Sequence, residues 1–330
     1  MPDNAQIRFP AKDEVVVEST DRPEPDPDEV LVETKRTLVS IGTELMFLTD
    51  SHPGEGTSLP FEPGYNNLGE VVEVGANVDN EVLGTRVASY GNHQQYTAGP
   101  LDSYYAIPEG VADDEAVFFT IAEIVMNGLR RGELAFGETA AIYGLGLLGQ
   151  FAIRLAHLAG AHPVFGLDLA DDRIGHLPDL PGVVGLNPGE DDWFDQFEAE
   201  TGGRLADVVF EVTGVGKAIP DQFEALREGG RFVVLGSPRG SCEFDFNRSC
   251  HNPGYTIVGA HNRTHPSQPS MVNPWTRPRH VELFFELLDG DRPSVSDLIT
   301  HRESYEDAPE VYEMLLEDRT QALGVVLEWD

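Results

Sequence analysis

The most constraining feature of this sequence is a glycine pattern that follows a short apolar run. Residues 140–143 are typical of a buried strand, and the six residues 144–149, GLGLLG, come directly after them. The next apolar residues recur at spacings of three and four, which predicts a helix. In this setting Gly144 makes the turn, Gly146 lets backbone approach a pyrophosphate, and Gly149 permits close packing at a helix N-terminus that favours negative charge. We therefore predict a dinucleotide-binding site.

An acidic residue at the end of the next predicted strand specifies the cofactor. Asp168 lies 24 positions after Gly144. A carboxylate there accepts hydrogen bonds from the ribose hydroxyls and repels a 2′-phosphate, which predicts NAD rather than NADP. The alternative is an ordinary surface aspartate in an acid-rich chain. The predicted cofactor contacts from this motif are Gly144, Gly146, Leu147, Leu148, Gly149 and Asp168.

The rest of the chain divides into two kinds of pattern. Residues 7–108 contain short β-type runs broken by Gly, Pro and Asn, which predict a partly open β-barrel. Acidic residues at 113–115 then precede a predicted helix over 116–129. Six predicted strands after Thr139 form a doubly wound α/β sheet, and two helices and a strand end the chain. The predicted domains are residues 1–112, 113–262 and 263–330.

Charge excludes several kinds of partner. The chain has 22 basic and 57 acidic residues, a formal net charge of −35, so we expect no nucleic acid and no membrane as partners. Only three of the cations are lysines, which favours an organism that lives in concentrated salt, where a short Debye length screens the acidic surface. The sequence shows no basic-then-apolar leader and no apolar run of about 20 residues, so we expect a soluble cytoplasmic protein.

Cysteine and histidine usage gives no metal-binding pattern. Cys242 and Cys250 match neither a disulfide framework nor a Cys-x-x-Cys clip. Cys250, His251, His261 and His265 could contribute to a metal site, but Pro266 argues against a continuous helix that would align His261 and His265. We expect His261 and Asn262 instead to line the nicotinamide end of the cofactor cleft or an edge strand at which subunits pair.

Several further stretches carry a resemblance to a known family. They are residues 39–44 (VSIGTE), 63–70 (PGYNNLGE), 122–123, 212–214 (VTG), 228–231 and 298–302. Together with the glycine pattern, they make nearly the whole chain resemble the medium-chain dehydrogenase/reductase superfamily, and in particular its branch containing bacteriochlorophyllide a dehydrogenase. The resemblance implies a GroES-like catalytic domain, a Rossmann domain, further cofactor contacts from Arg173, Thr213 and Gly236, and a homodimer or homotetramer.

The chain departs from the zinc enzymes of this superfamily at the metal ligands. Those enzymes carry a Cys at the position of Ile41, a His at that of Tyr65 and a Cys or acid at that of Glu123. One carboxylate cannot hold a catalytic zinc, which takes three protein ligands and a water. We therefore predict no metal.

A metal-free site needs a side chain that moves the proton. The resemblance points to Tyr65 at the former ligand position, and the alternative is an aromatic that only fills the space. Thr43 matches the hydroxyl that relays the proton in the zinc enzymes. His93 could be a base that titrates near neutrality. Glu44 and Glu123 could shift each other's pKa, although a structural role for Glu44, as an acceptor for backbone amides, is favoured over direct catalysis.

The predicted activity is hydride transfer between NAD and a small secondary alcohol or its ketone. One alternative is a zinc-free enone or quinone reductase, and another is a non-catalytic NAD-binding protein. The identity of the substrate depends on loops such as residues 51–58, whose conformation the sequence does not define.

Overall fold

The protein contains two compact units. The structure, a computed structural model, describes residues 4–51, 58–290 and 292–329, so most of the loop at 51–58 lies outside the described residues. Unit 1 comprises Met1–Thr120 and Val281–Asp330, and unit 2 comprises Ile121–His280. Residues 113–120, predicted as the start of the Rossmann domain, belong to unit 1, and residues 263–280, predicted as part of the C-terminal segment, belong to unit 2. None of the described helices is long and apolar enough to cross a membrane.

Unit 1 is built mainly from strands. Its elements are β1 (Asn4–Arg8), β2 (Val16–Thr20), β3 (Glu29–Leu38), α1 (Ile41–Leu48), β4 (Asn67–Val74), β5 (Arg86–Ser89), β6 (Tyr96–Pro100), β7 (Tyr104–Ala106), α2 (Asp113–Ala116), β14 (Ile299–Ser304), α9 (Ala308–Glu317) and β15 (Gly324–Glu328). A seven-stranded sheet has the order β14-β15-β3-β4-β5-β7, with β6 also paired to β3, while β1 and β2 form a separate pair. β15 pairs antiparallel with β3, so the last strand lies beside an early one.

The core of unit 1 explains why α1 and α9 lie where they do. Each helix is amphipathic and turns apolar residues inward, among them Leu45 and Leu48 from α1 and Val311 and Leu315 from α9. These residues pack in one cluster with strands β1 and β15. This packing places Glu44 of α1 and Tyr312 of α9 in the same buried layer, which matters for the site described below.

The predicted helix over residues 116–129 is interrupted in the structure. α2 ends at Ala116 and a new helix, α3, covers Phe119–Arg131, so the prediction of one continuous helix is wrong. Of the two residues between them, Phe118 is fully buried and its ring lies against Gly324 of β15. Tertiary packing of this ring therefore decides the local conformation, because the helical periodicity alone continues through it.

Unit 2 is a parallel α/β domain. Its elements are β8 (Ala140–Tyr143), α4 (Leu147–Leu158), β9 (Val164–Leu167), α5 (Asp171–Ile174), β10 (Val183–Leu186), α6 (Trp193–Thr201), β11 (Ala206–Glu211), α7 (Ile219–Gln222), β12 (Leu226–Val234) and β13 (Thr256–Gly259), and α8 (Arg277–Asp289) begins within it. The strand order β10-β9-β8-β11-β12-β13 is that of a doubly wound sheet. The predicted fold class, a six-stranded doubly wound domain with a separate β-rich domain, is confirmed.

Candidate functional site

The glycine loop, residues 144–149, connects β8 to α4 at the carboxyl edge of the sheet in unit 2. Gly144 has φ +97°, a left-handed conformation that favours glycine. A Cβ on Gly149 would lie 1.8 Å from the carbonyl oxygen of Gly144, so only glycine allows the helix to start this close to the turn. A Cβ on Gly146 would meet nothing within 4 Å, so the side of the loop at this residue is open. Leu147 and Leu148 form the first turn of α4.

Asp168 follows β9 and its carboxylate supports the glycine loop directly. Oδ2 accepts a hydrogen bond from the backbone N–H of Leu145 at 2.7 Å, and Oδ1 accepts one from the N–H of Ala170 at 2.9 Å. The guanidinium of Arg173 lies 3.6 Å from Oδ2. The sequence predicted a contact with the ribose only; the structure adds a second role, in which the carboxylate fixes the turn that would receive the cofactor.

A buried carboxylate that sequence reasoning missed lies at the same edge. Glu211, the last residue of β11, is fully buried, and its Oε1 accepts hydrogen bonds from the hydroxyl of Thr213 and the N–H of Gly214. A Cβ on Gly236 would lie 3.1 Å from Oε2, so Gly236 leaves room for this side chain. Burial raises the pKa of Glu211 above its usual range. Thr213 and Gly236, which the sequence predicted as cofactor contacts, therefore both lie beside the Glu211 carboxylate.

In unit 1 a second buried carboxylate, Glu44, has several donors around it. Its Oε1 accepts the backbone N–H of Ser40 at 2.7 Å. Its Oε2 accepts a hydrogen bond from the hydroxyl of Tyr312 and lies 3.1 Å from Nε2 of His93. Burial first and Glu44 second raise the pKa of Tyr312 well above its ordinary value, so the phenol remains a neutral donor. We call Glu44, Ser40, His93 and Tyr312 the Glu44 cluster.

His93 in this cluster is fully buried and presents one nitrogen without a partner. Nε2 faces the Glu44 carboxylate and therefore donates to it, which leaves the lone pair on Nδ1. Among the described residues Nδ1 has no hydrogen-bond partner. Glycine at position 64 lets the backbone of His93 pass this close, because a Cβ on Gly64 would lie 2.5 Å from the backbone nitrogen of His93.

Tyr65 is connected to the Glu44 cluster through a residue that the sequence analysis did not select. The phenol of Tyr65 and the hydroxyl of Ser40 form a short hydrogen bond. Thr43, the predicted relay residue, lies one turn along in α1 and is half-buried. Ser40 immediately precedes that helix, so its hydroxyl rather than that of Thr43 meets the phenol.

Glu123 in α3 of unit 2 has different partners. Its Oε1 accepts a hydrogen bond from the side-chain amide of Asn262 at 3.0 Å, and Nε of Arg277 lies 3.7 Å from the same oxygen. Its Oε2 lies 3.1 Å from Nε2 of His265. We call Glu123, Asn262, His265 and Arg277 the Glu123 cluster. The expectation that Glu44 and Glu123 shift each other's pKa stays a prediction.

The histidines beside Glu123 form a chain whose direction is set by its two ends. Nε of Arg130 can only donate, and it donates to Nε2 of His280 at 3.1 Å. His280 therefore donates from Nδ1 to Nε2 of His265 at 3.0 Å, and His265 donates from Nδ1 to the carbonyl of Asn262 at 2.9 Å. Burial and neighbouring positive charges lower the pKa of His280 to about 3, and burial lowers that of His265, so both rings are neutral near pH 7.

The residues considered for a metal site do not converge. His265 lies beside Glu123, whereas the imidazole of His261 accepts a hydrogen bond from the N–H of Arg263. The thiol of Cys250 faces the carbonyl of Tyr255. Within residues 4–51, 58–290 and 292–329, no three His, Cys, Asp or Glu side chains form a group that could hold a metal ion.

Comparison with known proteins identifies relatives of both units. Residues 148–274 match the family described as zinc-binding dehydrogenase. A D-guloside 3-dehydrogenase of Escherichia coli K12 is 29% identical over 262 residues, which cover 76% of this chain and 73% of that protein.

Two solved structures show the fold over nearly the whole chain. An alcohol dehydrogenase from E. coli CFT073, complexed with NADH, has a TM-score of 0.83 at 17% identity and covers 99% of each chain. A zinc-binding dehydrogenase from Sinorhizobium meliloti 1021, bound to NADP, has a TM-score of 0.80 at 19% identity with the same coverage. The family match over residues 148–274, the relative and the solved structures are all dehydrogenases, in agreement with the resemblance to zinc-type medium-chain alcohol dehydrogenases that the sequence motifs predict.

Proposed function

We propose that this protein is an NAD-dependent oxidoreductase that interconverts a small secondary alcohol and its ketone without a catalytic zinc. The observation that carries the proposal is the pairing of the open glycine loop with the Asp168 carboxylate at the carboxyl edge of the unit 2 sheet. In doubly wound sheets, this edge is where dinucleotides bind.

The residues present fit a dinucleotide. Gly144 and Gly149 give the tight turn, and Gly146 leaves the loop backbone accessible to a pyrophosphate. α4 begins at Leu147, so its N-terminal N–H groups face the same place. When bound there, the nicotinamide accepts the hydride from the alcohol carbon or returns it to the ketone.

The choice of NAD over NADP depends on charge. The Asp168 carboxylate would repel a 2′-phosphate, and its position is held by two backbone N–H groups. Arg173 is close enough to compensate part of this repulsion. The two solved structures above carry NADH and NADP respectively, so the fold accommodates either cofactor and the discrimination falls to these two residues.

The donor set does not fit the zinc that the family name implies. Ile41 has no donor atom, the Tyr65 phenol is hydrogen-bonded to Ser40, and the Glu123 carboxylate is occupied by Asn262 and the neighbouring Arg277. A catalytic zinc needs three protein ligands of the Cys, His or carboxylate type. We therefore expect elemental analysis of the purified protein to find well under one zinc per chain, and chelators to leave its activity unchanged.

Proton transfer then depends on a side chain of the protein. As the hydride leaves the alcohol carbon, the O–H proton must pass to a group within hydrogen-bond reach. We place Tyr65 in this role, because its phenol forms a hydrogen bond with the Ser40 hydroxyl, which could pass the proton on. His93, with its free Nδ1, is the alternative base.

Substitution of Asp168 tests the cofactor assignment. Asp168→Ala should shift the ratio of kcat/KM for NAD to that for NADP by at least tenfold, or about 1.4 kcal/mol. Asp168→Asn is the matched control, because it removes the charge but keeps an acceptor for Leu145. If repulsion decides, both variants shift the ratio; if only Ala shifts it, loop order rather than charge determines the preference. Turnover of enones with NADPH, together with no turnover of secondary alcohols, would replace the proposed reaction with double-bond reduction.

A further inference from the structure

One segment of this acidic chain contains no acidic residue. Residues 246–281 include no Asp or Glu, although 57 of the 330 residues are acidic and about six would be expected in a segment of this length. The same segment contains four arginines and four histidines: Arg248, Arg263, Arg277, Arg279, His251, His261, His265 and His280. The local charge is thus opposite to that of the rest of the chain.

The structure brings two arginines, Arg279 from this segment and Arg130 from α3, onto one aromatic ring of the segment. The Cζ atom of Arg130 lies 3.3 Å from the ring centroid of Trp275, and that of Arg279 lies 4.0 Å from it. The ring of His280 stacks on the same indole at 5.5 Å with an interplanar angle of 11°. We call these four residues the Trp275 cluster. Cation–π contacts hold both guanidinium groups in place without neutralising them.

Among the described residues, no carboxylate forms an ion pair with either guanidinium of the cluster. Arg130 donates to Nε2 of His280, and Arg279 donates to the carbonyl of Pro274 at 3.4 Å. Within the described part of the chain, no Asp or Glu forms an ion pair with either of them; the nearby Glu123 lies instead by Arg277. Desolvation lowers the pKa of Arg130, and the positive charge of Arg279 adds a smaller lowering.

The start of α8 adds positive potential at the same place. α8 begins at Arg277 and carries Arg279 and His280 in its first turns, with no acidic residue in the first turn. Unsatisfied N–H groups make a helix N-terminus positive, so arginines there are less favourable than acids would be. In a chain with a net charge of −35, two unpaired arginines at this position are unfavourable unless an anion joins them.

We propose that Arg130 and Arg279, held on Trp275 at the start of α8, bind the phosphate or carboxylate group of the substrate. Planar guanidinium groups match both anions. The cofactor's phosphates are assigned to the glycine loop, whereas the Trp275 cluster connects through His280 and His265 to Glu123, a candidate catalytic residue. The substrate class is therefore an alcohol that carries an anionic group. This second part rests on the proposed function, but the anion site itself does not.

Binding of inorganic phosphate tests the site without any turnover. Of the three tryptophans, Trp193 and Trp329 are buried and Trp275 is partly exposed, so Trp275 should dominate any fluorescence change caused by a small anion. We would titrate phosphate, and separately acetate, into the full chain with KCl adjusted to constant ionic strength. We expect a saturable change in the wild type and at least tenfold weaker binding in Arg279→Gln.

Arg248→Gln is the matched control. Arg248 is in the same acid-free segment, is 86% exposed and lies 3.9 Å from Asp245 rather than on Trp275, so its substitution should leave the titration unchanged. A response that does not saturate, or an equal response in Arg279→Gln, would overturn the anion site. A change in molecular mass of Arg279→Gln by light scattering would assign this surface to contact with a second copy of the chain instead, and would also overturn the site.

Kinetics with matched substrates separates the two proposals. For a secondary polyol and its phosphate monoester, we expect at least a tenfold lower KM for the ester in the wild type, and loss of this difference in Arg279→Gln with little change in kcat. Phosphate binding without turnover of any alcohol would leave the anion site standing and reject the proposed activity. Turnover without preference for the ester would reject the assignment of the anion to the substrate.

Discussion

Glu44 in unit 1 and Glu123 in unit 2 are both fully buried acids, yet the two units hold them in different ways. Glu44 is surrounded by hydrogen-bond donors: the phenol of Tyr312, the imidazole of His93 and the backbone N–H of Ser40. Glu123 accepts a hydrogen bond from the amide of Asn262 and lies near the imidazole of His265 and the guanidinium of Arg277. Hydrogen-bond donors fix a carboxylate in position, whereas the positive charge of Arg277 beside Glu123 also couples that carboxylate to charges bound nearby. The contrast indicates a rigid support in unit 1 and an electrostatically responsive region in unit 2.

The largest expected effect concerns catalysis at the edge of the Glu44 cluster. Tyr65→Phe removes only the hydroxyl that bonds to Ser40, and it should lower kcat by about 10²–10⁴ while NAD affinity stays nearly constant. Steady-state kinetics and a separate NAD titration measure the two quantities. Ser40→Ala, which removes the other half of the same hydrogen bond, should lower kcat less. A fully active Tyr65→Phe would exclude the phenol as proton donor and favour His93 as the base.

Removal of the Glu44 carboxylate should strongly destabilise unit 1. Glu44→Ala leaves Tyr312, His93 and the Ser40 N–H without their acceptor, so the free energy of unfolding should fall by about 3 kcal/mol. Chemical denaturation measures this loss. Glu44→Gln keeps one acceptor oxygen and should lose clearly less. Equal losses in the two variants would mean that packing, and not the hydrogen bonds, makes this residue important.

The histidines next to Glu123 should make stability depend on pH. Because the pKa of His280 is about 3 in the folded state against 6.5 ordinarily, the unfolded chain binds this proton first as pH falls. The stability from neutral His280 is complete above pH 6.5 and is lost toward pH 3, by about 1.5 kcal/mol between pH 6.5 and 5. His280→Gln should remove this part of the slope in denaturation curves. The exposed His251→Gln should leave the slope unchanged, and a slope equal to wild type in His280→Gln would contradict the buried neutral assignment.

The smallest expected effect is that of KCl on Tm, which should act through the surface charge and not through the buried carboxylates. Self-repulsion of a net charge of −35 is screened at molar salt, where the Debye length is roughly 3 Å, so we expect KCl to raise Tm by at least about 4 °C. The rise should be the same in Glu44→Gln, because salt does not reach a fully buried cluster. Thermal scans at 0.1 M and 2 M KCl test both statements. Full stability in dilute buffer would contradict adaptation to concentrated salt.

The sequence by itself determined the parts of this protein that rest on local patterns. The strand at 140–143 and the glycine loop are contiguous, and the acid at 168 follows the very next strand. The positive φ of Gly144 favours glycine whatever surrounds it. The six-stranded order followed because alternating strands and helices have few allowed connections. The family resemblance likewise rested on short motifs.

Only the tertiary structure decided which side chains meet. Tyr312 lies 268 residues from Glu44, and His280 lies 150 residues from Arg130, so no spacing rule connects them. The break at Phe118 depends on a ring packed against β15, and the cations on Trp275 come from two helices that are distant in sequence. Burial and hydrogen bonding depend on which distant segments of the chain lie side by side. Packing of the whole core decides this, rather than any local conformational preference.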